Sequence, residues 1–125
     1  MGAGPNDEES AMTQYLISFD EGAMVDLSHP DLPVIAKAAE DACQEAMDAG
    51  VWVFGGGLLP QVASTVAPDG MVTDGPFPES KEFIGGFAVV DVETREEALT
   101  WAAKLAAACR CNQEVREFME PPTFD

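Results

Sequence analysis

Along the chain the apolar positions change period several times, and each change marks an element. Gln14-Tyr15-Leu16-Ile17-Ser18-Phe19 is a short β-branched and aromatic run that stops at Asp20-Glu21-Gly22, the pattern of a strand closed by a turn. From about Leu32 to Asp48 the spacing becomes helical: Ile35, Ala38, Ala39, Ala42, Ala46 and Met47 share a face, and Gly50 supplies the stop. Val51-Trp52-Val53-Phe54 predicts a buried strand that runs out at Gly55-Gly56-Gly57, where missing side chains leave room for backbone or ligand.

Val62 to Val66 and Met71 to Thr73 flank Pro68-Asp69-Gly70, a turn sequence, and predict an inserted β-hairpin. Ile84 to Val92 is the clearest strand. Thr94-Arg95-Glu96-Glu97 then has the form of a capping box, with the Thr94 and Glu97 side chains expected to satisfy free amides at a helix start. Ala98, Trp101, Ala102, Leu105 and Ala106 give that helix an apolar stripe, and the alternation from Glu114 to Met119 predicts a last strand before Pro121-Pro122.

The order is β-α-β, hairpin, β-α-β. It predicts an α+β fold of the ferredoxin-like, split β-α-β type, with the helices on one face of a mainly antiparallel sheet. Two helices cover one face only, so the apolar residues of the other face are expected to be buried against a second copy, sheet to sheet, as a homodimer.

Length fits one domain: 125 residues enclose a single core. Residues 1–12, with Gly2, Gly4, Pro5 and the acidic Asp7-Glu8-Glu9, are expected to form a flexible acidic leader, and residues 13–125 the domain. No apolar stretch reaches membrane-spanning length, and Met1 to Ala11 has neither the basic start nor the apolar run of an export signal, so a soluble cytoplasmic protein is expected. Cys43, Cys109 and Cys111, an odd number, are then expected to be reduced thiols. With 23 acidic against 6 basic residues, the formal charge of −17 argues against direct contact with nucleic acid. It describes the surface, through solubility or a salt-rich cell interior, and not the activity.

Thr73-Asp74-Gly75-Pro76-Phe77, Glu79-Ser80-Lys81-Glu82 and Gly85-Gly86-Phe87, followed by Asp91-Val92, Glu96-Glu97-Ala98-Leu99, Trp101-Ala102 and Val115-Arg116, resemble the YCII-related family in its Asp-Gly-Pro-Phe (DGPF) branch. The resemblance implies a dimeric α/β-barrel with a cleft for a small molecule or an enzyme-like reaction, and for many members no established reaction. Branch members are often associated with transcriptional regulation through alternative sigma factors. Better-studied relatives carry a His-Asp pair thought to be catalytic, the histidine lying inside the first helix. This sequence departs from that pattern: its one histidine, His29, precedes Pro30 ahead of the helix, and the matching helix positions hold Lys37, Ala38 and Ala39.

Among candidate chemical groups, Asp74 stands out. A carboxylate held by a Gly-Pro turn could act as general base or bind a cation, with Lys81 and Glu82, and Glu79 nearby, completing an acid-base group. The alternative is structural: Asp before Gly-Pro caps nearby amides, and loop charges face water. Gly55-Gly56-Gly57 and Gly85-Gly86 lack the lysine and following helix of a phosphate loop. Trp52, Phe54, Phe87 and Trp101 are core residues first and pocket lining second. Cys109-Arg110-Cys111 is too few ligands for zinc, so neither a metal nor another cofactor is expected. His29 is expected to be a loop residue or to cap the helix start. Two functional readings follow: a dimeric domain that binds a small molecule in a cleft or acts in regulation, and a lyase- or hydrolase-like enzyme using Asp74.

Overall fold

The computed structural model describes residues 12–75 and 84–120. Tyr15 and Ile17 point to the same side of β1 (Thr13–Asp20), because strand side chains alternate, and both are buried. A single 3-10 turn, Glu21–Ala23, ends this strand, its start capped by Asp20 Oδ2 accepting from the Gly22 N–H at 3.1 Å. Helix α1 (Leu32–Asp48) follows with Pro33 in its first turn, where the missing N–H costs nothing. It closes at Gly50, whose φ of +78° is the left-handed geometry glycine adopts without strain.

β2 (Trp52–Gly57), the hairpin strands β3 (Ser64–Val66) and β4 (Val72–Asp74), β5 (Ile84–Val92), α2 (Arg95–Cys109) and β6 (Glu114–Glu117) complete the order read from the sequence. Four strands form one antiparallel sheet in the order β2-β5-β1-β6, and β3-β4 form a separate two-stranded sheet. The molecule is therefore α+β, with two helices and an antiparallel sheet compatible with a ferredoxin-like fold. The hairpin turns where expected. Gly70 takes a φ of +90°, its N–H donates to Ala67 O at 2.8 Å, and Asp69 Oδ1 accepts from the Met71 N–H at 2.9 Å.

The core lies between the sheet and the helices. Tyr15, Ile17, Val90 and Val92 meet Ala98 and Ala102 of α2, with Val51, Trp101, Leu105 and Val115 packed around them. Alanine at the contact positions lets α2 lie close to the strands, and each large residue buried there contributes about 1.5–3 kcal/mol. Thr94 Oγ1 accepts from the Glu97 N–H at 3.1 Å and caps α2, while among the described residues the return bond from Glu97 does not form, so half of the expected capping box exists.

Two boundaries differ from the sequence reading. β2 is an edge strand and not a buried one: it pairs only with β5, and Val53 and Phe54 are 46% and 64% exposed. Its register shifts between Trp52 and Phe54, so a bulge turns Trp52 toward the helices and Phe54 away from them. The glycines Gly55, Gly56 and Gly57 are inside this strand, where Gly55 and Gly56 pair with Ala88 and Phe87. The last strand ends at Glu117, and Met119 projects into solvent.

Among the described residues no helix covers the sheet face away from α1 and α2. Leu16 and Val89 pair across it, Phe54 pairs with Val89, and the rings of Phe54 and Phe87 lie 6.0 Å apart.

Candidate functional site

The helical spacing that buries α1 also hollows the protein. Ala39 and Cys43 lie one turn apart on α1, Leu105 and Cys109 one turn apart on α2, and all four side chains are short or slender where the helices pass over the sheet. Ile17 and Phe19 of β1, Ala88 of β5 and Trp52 and Gly57 of β2 form the floor and side, with Met24 and Gln113 at the margin. The resulting cavity holds about 230 Å³. Apart from the Trp52 indole N–H and the Gln113 carboxamide, its side chains are carbon and sulfur.

The sulfurs of this region are uncharged. Burial pushes the Cys109 thiol up to about 11, with the neighbouring Cys111 and Cys43 adding to the effect. Burial also raises Cys43, and it raises Cys111 against the opposing Gln113 hydrogen bond. Cys111 Sγ donates to Met24 Sδ at 3.6 Å and accepts from Gln113 Nε2 at 3.6 Å, which fixes the loop after α2 against the loop after β1. All three thiols are free. Among the described residues no cluster of histidine, cysteine and carboxylate side chains is arranged to hold a metal ion.

A second hollow of about 360 Å³ lies partly on the open face, among Leu16, Ser18, Asp20, Ile84, Asn112, Glu114 and Arg116. Its lining is mixed in polarity, unlike that of the first.

Asp74 lines neither hollow. It is exposed at the end of β4, and among the described residues its side chain makes no hydrogen bond or ion pair; the turn beside it is held by backbone, Gly75 N–H to Ala63 O at 2.5 Å, and by Thr65 Oγ1 donating to Gly75 O at 2.8 Å. Among the described residues Asp74 caps no amide, and the Thr65 hydroxyl holds the carbonyl side of this turn. Lys81, Glu82 and Glu79, like Pro76 and Phe77, lie outside the described residues. His29 sits at the start of α1, where its Nδ1 accepts from the Asp31 N–H at 3.0 Å and its carbonyl from Leu32. Of the four aromatic residues considered for a pocket, Trp52 lines the apolar cavity with its side chain, while Phe87 borders it only along its strand and turns its ring to Phe54 on the other face. Phe54 faces out, and Trp101 packs on the core under Lys104, whose Nζ is 5.7 Å from the ring centre.

The family model of the YCII-related domain matches residues 36–120, a span that begins within α1 and includes β2, the hairpin, β5, α2 and β6. The chain belongs to the YCII-related family. No curated protein matches it. The matched span supplies Ala39, Cys43, Trp52, Gly57, Leu105, Cys109 and Gln113, most of the cavity wall, and Ile17, Phe19 and Met24, which precede it, complete the lining.

Reading from the sequence missed the thiols of this wall. The sequence predicts Cys43 and Cys109 as reduced thiols, which they are, but assigns them no place in a wall, although each follows a small or slender residue by four positions on a predicted helix, the spacing that places two side chains on one face.

Proposed function

We propose that this YCII-related protein is a homodimeric small-molecule-binding domain of the Asp-Gly-Pro-Phe branch, acting by occupancy of a cleft. The observation that carries the reading is the half-open cavity of about 230 Å³ between sheet and helices, which has the apolar lining and few polar groups of a ligand site and room for a molecule smaller than a drug. The branch assignment rests on Thr73 to Phe77 in the sequence. The dimer rests on the uncovered row of Leu16, Val89, Phe54 and Phe87, which two sheets packed face to face in a dimeric α/β-barrel would bury. In this reading the Asp74 carboxylate is a surface group, and an acid-base role for it would depend on Lys81 and Glu82 approaching from outside the described residues.

Native mass spectrometry of freshly purified protein tests both halves together. The expected spectrum is a dimer carrying an extra mass that leaves on denaturation. A monomer without adduct at micromolar concentration overturns the proposal.

A further inference from the structure

Deepening the binding reading above, on which it rests, we infer that the ligand of the cavity beneath Trp52 is a neutral, two-ring aromatic molecule carrying at most one polar atom. Size sets the first limit. A dry cavity of about 150 Å³ takes benzene, so about 230 Å³ suits two fused rings and excludes a nucleotide or a cofactor of that bulk.

Lining sets the second. The chain carries 23 acidic and 6 basic residues, yet among the described residues none of them contributes to this wall. A carboxylate or phosphate entering it would lose hydration with no cation to replace it, and would first have to cross the field of a strongly negative surface. An ammonium would find no carboxylate. The neutral thiols of Cys43 and Cys109 and the thioether of Met24 are polarizable and make favourable contacts with ring edges. Trp52 and Phe19 supply ring faces, and Gln113 or the Trp52 indole N–H can meet a single carbonyl or hydroxyl.

Gly57 makes the mouth. It pairs with Gly86, on the side of the sheet where an added Gly86 side chain would strike the Phe19 ring, and a side chain built on Gly57 itself meets nothing within 4 Å. Bulk at this position would therefore enter the cavity mouth without disturbing the fold.

The test compares two molecules of one shape, 2-acetylnaphthalene and 2-naphthoate, by isothermal titration with the full chain and with the Gly57→Leu and Ala39→Phe variants, each checked for native circular dichroism. Expected are binding of the ketone at one per chain, at least tenfold weaker binding of the carboxylate, and at least tenfold loss of ketone binding in whichever variant folds. Equal or tighter binding of 2-naphthoate overturns the ligand class, and ketone binding unchanged in a folded variant overturns the place. If the ketone does not bind but native mass spectrometry still finds a retained small molecule, this inference fails and the binding reading stands; if neither is found, both fall.

Discussion

Arg110 Nη1 lies 3.0 Å from Asp31 Oδ2, so the residue that ends α2 holds the residue that begins α1. Arg110 does so from a φ of +58°, the one non-glycine position with positive φ among the described residues. Two terms oppose each other here: an exposed ion pair is worth about 0–1 kcal/mol, whereas the left-handed backbone costs a side-chain-bearing residue about 1–2 kcal/mol. Arg110→Gly is therefore expected to be neutral or stabilising by up to about 1 kcal/mol, and Arg110→Ala destabilising, because alanine keeps the strain and loses the pair. Urea unfolding of the two variants measures the order, and an alanine variant more stable than the glycine variant would contradict it.

Gly55 and Gly57 are two residues apart in the same strand and should respond oppositely to the same substitution. A side chain on Gly55 would come within 2.5 Å of Phe87 O and 2.8 Å of Ala88 Cα, both backbone atoms that cannot turn aside. Gly55→Ala is expected to cost about 2 kcal/mol or more by forcing β2 from β5, while Gly57→Ala changes stability by less than about 0.5 kcal/mol. Thermal unfolding followed by circular dichroism distinguishes the two.

The thiols predict a direction with pH. Cys109 holds its proton more tightly folded than unfolded, so between about pH 9 and 11 the native state binds more protons and stability falls as pH rises. This group contributes at most about 1.4 kcal/mol per pH unit. Replacement by alanine removes the contribution, and a Cys109→Ala variant whose stability falls as steeply as the parent's over this range would show that Cys109 is not the cause. At pH 8, iodoacetamide should label Cys109 more slowly than Cys43 or Cys111, as peptide mapping of timed samples would reveal.

Asp74→Asn should leave the melting temperature within about 2 °C, since an exposed carboxylate without a partner among the described residues has little to lose. If the bound mass and its occupancy in native mass spectrometry also stay the same, Asp74 is outside the binding machinery. A loss of occupancy would instead bring the acid-base or cation-binding reading of this residue back.

The fold was legible because its elements obey simple periods. Thr94, Gly50 and Pro68-Asp69-Gly70 are local signals whose backbone consequences act within a few residues, and each produced the cap, stop or turn expected of it. Exposure of β2 was not legible. Val51-Trp52-Val53-Phe54 is apolar throughout, and only the pairing with β5 alone, together with the bulge after Trp52, decides which of these side chains turn inward. The cavity was hidden for a similar reason: Ala39, Cys43, Leu105 and Cys109 are ordinary helix-face residues in sequence, and only the packing of both helices on the sheet brings them around one space. Asp74 drew attention through its neighbours in sequence, whereas in space it is exposed and, among the described residues, its side chain has no partner.

The bulge after Trp52 also governs what the sheet's borders can do. A flat outer strand offers a ladder of unpaired amides and carbonyls to any passing chain, the starting point of fibrillar growth. β2 is twisted out of that flatness within its first three residues, and at the opposite border β6 is four residues long and carries Glu114, Arg116 and Glu117. With both borders blunted in this way, indefinite lengthening by strand addition is suppressed, and the face-to-face pairing proposed above would close after one partner.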